Sequence, residues 1–145
     1  AARSHAAEMG LTIDYRAGEV ATLMAEKRRF DLVTAMGVVE HVTDITAFLS
    51  TLATLVKPEG VVIVSTPNRT IASRLAMITL GEGLKLIPRG THDWHKFLTP
   101  EELEQKLTDA GLKAHDRRGL SFTPSRGFVL GDDLALNYLL AASHG

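Results

Sequence analysis

Cysteine is absent from all 145 residues, which excludes a disulfide framework, a thiolate nucleophile and a cysteine-ligated zinc site. A surplus of either charge is absent as well. Lys and Arg number 16 against 17 Asp and Glu, a formal net charge of −1, so the global positive field of a nucleic-acid binder is missing and no nucleic-acid partner is expected. No apolar run approaches the roughly 20 residues needed to cross a bilayer. The opening stretch AARSHAAEMGL has neither the charged start and apolar core of a secretory signal nor an initiator Met. Repeats and low-complexity tracts are lacking too. What remains is a chain of ordinary single-domain length whose 45% hydrophobic content can bury a core.

The order of elements follows from apolar runs and punctuation. Residues 12–16, TIDYR, predict a short strand, and 19–28, EVATLMAEKR, a short helix with Val20, Leu23 and Met24 on one side. FDLVTAM at 30–36 predicts a buried strand. Over 44–56, Ile45, Phe48, Leu49, Leu52, Leu55 and Val56 fall at helical spacing, with Thr43 or Asp44 placed to cap the start. Pro58 and Gly60 should break that helix before VVIVST at 61–66, a β-branched run that suits a strand covered on both faces. In TPEELEQKLTDAG, Thr99 caps, Pro100 takes the first helical position, Glu102 completes a capping box and Gly111 ends the helix. A strand near 112–118, a Ser/Thr/Gly/Pro-rich connection and a last apolar segment at 134–142, a strand in preference to a helix, complete the reading, which is an α/β domain.

In open parallel sheets ligands bind beyond the carboxyl ends of the strands, so AMGVVEHV at 35–42 and STPNR at 65–69 are the places to search. Glu40 and His41 stand side by side there. They read either as a solvated turn with a capping role or as a metal or proton-transfer site, since carboxylate and imidazole both ligate cations. In residues 71–89, Ile71, Leu75 and Ile78 share a helical face flanked by Arg74, Lys85 and Arg89. That pattern suits an interfacial helix on an anionic membrane surface, or a core-packed lid. Trp94 and Phe97 either join that interface or pack the lid.

Three segments together, FDLVTAMGVVEHV, FLSTLATLVKPEGVVIVSTPNRT and PRGTHDWHKFLTPEEL, resemble the ubiquinone-biosynthesis O-methyltransferases from about residue 11 onward. The resemblance implies a class I S-adenosylmethionine-dependent, Rossmann-like methyltransferase sheet that is incomplete at its amino-terminal side. Residues 1–145 would then be the carboxyl-terminal portion of one domain, with 68–97 as a lid. No GxGxG occurs in the chain, so most of the cofactor grip, the glycine-rich turn and the ribose-binding acid, is not in it. The missing strands would leave a sheet edge that re-pairs, is covered by another chain in a homo-oligomer, or aggregates, so poor solution stability is expected.

At matching positions the resemblance implies that Met36 lines the adenosyl pocket, unless it is an ordinary core methionine, and that Gly18 and Glu19 lie near the adenine. It implies a magnesium site at Glu40 and His41, weakened because Gly37 stands where an acid is usual. His41 and His92 are the candidates for the catalytic base, the latter beside Asp93 in GTHDWHKF, where it could equally hold a loop; His95 is read as a surface residue. The implied substrate is a polyprenylated phenol or quinol, and the implied location is the cytoplasm, peripheral to the inner membrane. Methylation of another small molecule, or a noncatalytic partner or membrane-binding module, are the alternatives.

Overall fold

The computed structural model describes residues 2–73, 96–123 and 125–145. Helices α1 (Ala2–Glu8) and α2 (Ala21–Ala25) come first, then strand β1 (Phe30–Met36) and a single 3-10 turn at Val39–His41. Helix α3 (Ile45–Leu55) leads into strand β2 (Val56–Pro67) and one helical turn, α4 (Ile71–Ser73). Helix α5 (Pro100–Asp109) precedes strands β3 (Leu112–Thr123), β4 (Gly127–Gly131) and β5 (Asn137–His144).

These strands form one sheet in the order β1-β2-β5-β3-β4. Only β1 and β2 run parallel, in register from Leu32 opposite Val61 to Met36 opposite Ser65. The other pairings are antiparallel. Helices α3 and α5 stack on the face that carries Val62, Val64, Tyr138, Leu140 and Ala142, and together they bury Leu49, Leu52, Leu103 and Leu107. Both helices start where side chains satisfy their open amides. Asp44 accepts from the Ala47 N–H at 2.9 Å, while Thr99 and Glu102 exchange reciprocal side-chain-to-backbone bonds. The Tyr138 hydroxyl donates to the Leu98 carbonyl at 3.0 Å, and burial pushes this phenol well above the ordinary tyrosine range.

Several elements depart from the sequence expectation, each for a local reason. TIDYR is not a strand: 12–16 has no ladder partner among the described residues, and a strand without one leaves its amides to water. The helix expected over 19–28 shrinks to Ala21–Ala25, with Val20 and Met24 each 37% exposed and so gaining little from burial. Strand β2 begins before Pro58 rather than after Gly60. Phe30 pairs with Val56 but Leu32 with Val61, so KPEG bulges out of the ladder and its proline sits where no ladder amide is needed. Lys57 Nζ reaches back to Asp31 at 2.7 Å and holds that carboxyl below its usual range. The connection read between 118 and 134 contains β4, whose residues pair with the far end of β3 from Gly119 opposite Gly131 to Thr123 opposite Gly127. The last strand is found, shifted to Asn137–His144. Most of the lid at 68–97, with Arg74, Lys85, Arg89, His92, Trp94 and His95, lies outside the described residues; Phe97 is fully buried.

Two outcomes follow from this packing. A Cβ at Gly119 would stand 1.7 Å from the Asp133 carbonyl oxygen, so Gly119→Ala should lower stability by roughly 3 kcal/mol in urea unfolding. Glu102 is held below its usual range, first by its bond to the Thr99 backbone amide and then by Arg69. A depressed carboxyl contributes stability above its unfolded pKa and loses it as pH falls through the folded value. Glu102→Gln should therefore flatten the acid limb of the stability profile below about pH 5, which unfolding midpoints across pH would record.

Candidate active site at the strand ends

Every buried polar or charged side chain among the described residues falls in one place: Glu40, Ser65, Thr66, Asn68 and Ser73 occupy the carboxyl ends of β1 and β2 and the turns that leave them. Buried polar groups are costly unless hydrogen-bonded, so their concentration at one end of an apolar sheet marks that end as the site. The parallel pairing produces it. With Met36 opposite Ser65, both strands end together, and the Gly37 N–H donates to the Ser65 carbonyl and approaches its Oγ, both at 3.1 Å. Gly37 sits at φ +63°, a region open to glycine at little cost, and the chain then folds into the 3-10 turn that carries Glu40 inward.

Thr66 Oγ1 donates to Glu40 Oε2 at 3.1 Å. Glu40 Oε1 lies 3.9 Å from His41 Nε2, and the two side chains differ sharply in exposure, 5% against 50%. The pair is thus not a solvated turn, because its acid is inside. Asn68 ties the end of β2 to the approach to β5, its backbone N–H donating to the Leu136 carbonyl and Nδ2 to the Leu134 carbonyl, both at 2.9 Å. Its Oδ1 is buried and has no hydrogen-bond partner among the described residues. Thr70 donates to the Ala135 carbonyl at 2.6 Å, and Arg69 pairs with Glu102 at the start of α5. Thr66 and Asn68 were not singled out from sequence; the polar ending STPNR on a β-branched strand was the available signal.

The expected cofactor contacts separate. Gly18 and Glu19 line a cleft of about 660 Å³ with Asp14, Arg16, Arg28 and Phe30. Arg16 bridges Asp14 and Glu26 across its mouth, each at 2.9 Å, and these acids hold the guanidinium above its usual pKa. Met36 does not line that cleft and is 48% exposed at the end of β1 rather than part of the core. A cleft of this size is in the range that small ligands occupy. A magnesium ion fits less well. Glu40 and His41 supply two protein donors, one carboxylate oxygen already serves Thr66, and no group of three or more His, Asp or Glu with metal-holding geometry occurs among the described residues.

Comparison with known proteins gives this arrangement its family. Residues 4–116 match the family described as "Methyltransferase domain". The "Ubiquinone biosynthesis O-methyltransferase" of Azorhizobium caulinodans is 44% identical over 141 residues, 96% of this chain and 56% of that protein. The protein of the same name from Cereibacter sphaeroides is 46% identical over 145 residues, 97% of this chain and 58% of that one. The chain therefore spans less than three-fifths of the length of these curated relatives. Among solved structures, an S-adenosylmethionine-dependent methyltransferase from Clostridium acetobutylicum superposes with a TM-score of 0.65 at 12% identity, covering 99% of this chain and 70% of that one. That likeness establishes the fold, a class I methyltransferase sheet present in part. The resemblance read from FDLVTAMGVVEHV, STPNR and GTHDWHKF is borne out, and this chain belongs to the methyltransferase-domain family as a relative of the ubiquinone biosynthesis O-methyltransferases.

Proposed function

We propose that this protein contributes the substrate side of an S-adenosylmethionine-dependent O-methyltransferase acting on a phenolic hydroxyl of a polyprenylated ubiquinone precursor. The observation that carries the reading is the buried polar group at the strand ends, Glu40, Thr66 and Asn68, in a chain whose relatives bear that enzyme's name. S-adenosylmethionine, when bound, supplies an electrophilic methyl on a sulfonium sulfur. The residues here align an aromatic hydroxyl with that methyl and keep water away. A base takes the phenolic proton as the O–C bond forms and the S–C bond breaks, leaving a neutral thioether. His41, at the mouth of the polar group, and His92, from the sequence, are the candidates for that base. No step is assigned to magnesium.

A prenylated substrate resides in a bilayer. The apolar face of 71–89 with Arg74, Lys85 and Arg89 is therefore proposed to meet anionic lipid at the cytoplasmic side of the inner membrane. No helix among the described residues is long and apolar enough to cross a membrane. The β1 edge, which has β2 as its one partner among the described residues, is the proposed place where further chain, or a second copy, completes the sheet.

The test joins this chain to the upstream portion of the Azorhizobium relative and supplies labelled S-adenosylmethionine with a prenylated catechol or a short-chain phenol. Label in the prenylated product, with little in the short one, is expected. Label in neither would overturn the reading, and equal label in both would point to a general small-molecule methyltransferase.

A further inference from the structure

Glu40 is the one buried acid among the described residues, and its two oxygens are in different situations. Oε2 is occupied by the Thr66 hydroxyl at 3.1 Å. Oε1 accepts no hydrogen bond from a described residue: His41 Nε2 stands 3.9 Å away, beyond hydrogen-bond length, and on the other side lies Gly37. Even a Cβ at position 37 would stop 3.8 Å from Oε1, so the missing side chain leaves a notch beside that oxygen. Gly37 is held at φ +63° by its N–H bond to the Ser65 carbonyl and by the nearby Ser65 hydroxyl.

A carboxylate oxygen on a buried side chain takes a donor that can reach it, and the notch decides which kind. A hard divalent cation requires several oxygens in near-octahedral array, and the described donors are one spare carboxylate oxygen and an imidazole. A single hydroxyl requires one acceptor and room to approach it. We propose that Glu40 Oε1 receives the hydroxyl of a phenolic ligand directly, through the Gly37 notch and without a bridging ion, with Thr66 as the positioning residue that fixes the carboxylate. The contact rests on the phenol-methylating reading for its ligand class but not on methyl transfer itself.

Proton–nitrogen NMR titration of the 145-residue chain with catechol, in the presence of a chelator, tests it. Saturable shifts at the Gly37, Glu40 and Thr66 amides are expected, unchanged when magnesium replaces the chelator. Glu40→Gln should weaken catechol binding about tenfold by removing the charge-assisted bond. Gly37→Ala should weaken it by filling the notch; if the strained backbone unfolds that variant, the Gln variant alone decides. Shifts that are absent, that lie elsewhere, or that require magnesium would overturn the contact, as would manganese broadening of Gly37 and Glu40 at micromolar ion. Methyl transfer that fails while the catechol shifts persist would sink the functional reading and leave this contact standing. Magnesium-dependent catechol shifts with methyl transfer intact would do the reverse.

Discussion

The parallel pairing of β1 with β2 is the constraint on which the other features rest. It brings the ends of two apolar strands to the same level, so that the polar residues following each, Glu40 on one side and Thr66 on the other, meet at hydrogen-bond distance. Parallel strands cannot be joined by a tight turn, which is why α3 must cross between them, and α3 in crossing covers the face that Val62 and Val64 present. The Gly37 bond to Ser65 adds one more rung beyond the last paired residues and fixes where the 3-10 turn begins. Site, crossover helix and half of the core thus follow from one ladder.

The same ladder leaves β1 with a single partner among the described residues, and two of its large apolar side chains are exposed. Leu32 is 54% exposed and Met36 48% exposed. A central strand of a doubly wound sheet carries such residues because both of its neighbours and both of its faces are covered. Here the sequence of β1 is that of a central strand while its position is that of an edge. An edge of that composition favours pairing with more chain.

How much of this was legible in the sequence depended on whether the determinant was local. The capping box at Thr99 and Glu102, the Asp44 cap and the helical spacing of Leu49 and Leu52 are short-range patterns, and the structure repeats them closely. TIDYR was legible as a strand only on the assumption of a neighbour, because β propensity describes a half-buried pleated surface and not an isolated segment. β4 escaped notice because Gly127, Ser125 and Arg126 read as turn residues, and its pairing partner, the far half of β3, had no turn signal separating it from the nearer half. At the site, Glu40 and His41 drew attention by adjacency in sequence, but adjacency on a 3-10 turn sent one inward and the other outward. The partner that matters, Thr66, is 26 residues away and had no spacing rule to reveal it.

Strand β5 follows every other strand in the sequence yet occupies the middle of the sheet, between β2 and β3. Until it is inserted, β1 and β2 form one ribbon and β3 and β4 another, with no ladder between them. Closing the sheet therefore waits on contacts such as Asn68 with Leu134, 66 residues apart, and loop-closure entropy makes such contacts slow to form. Without residues 137–144, the β2 edge at Val62–Pro67 and the β3 edge at Leu112–Gly119 would each lack the ladder that joins them. Tyr138 and Leu140, both fully buried, act as a keystone between the two ribbons, so the last segment of the described chain is the one that makes the sheet a single body.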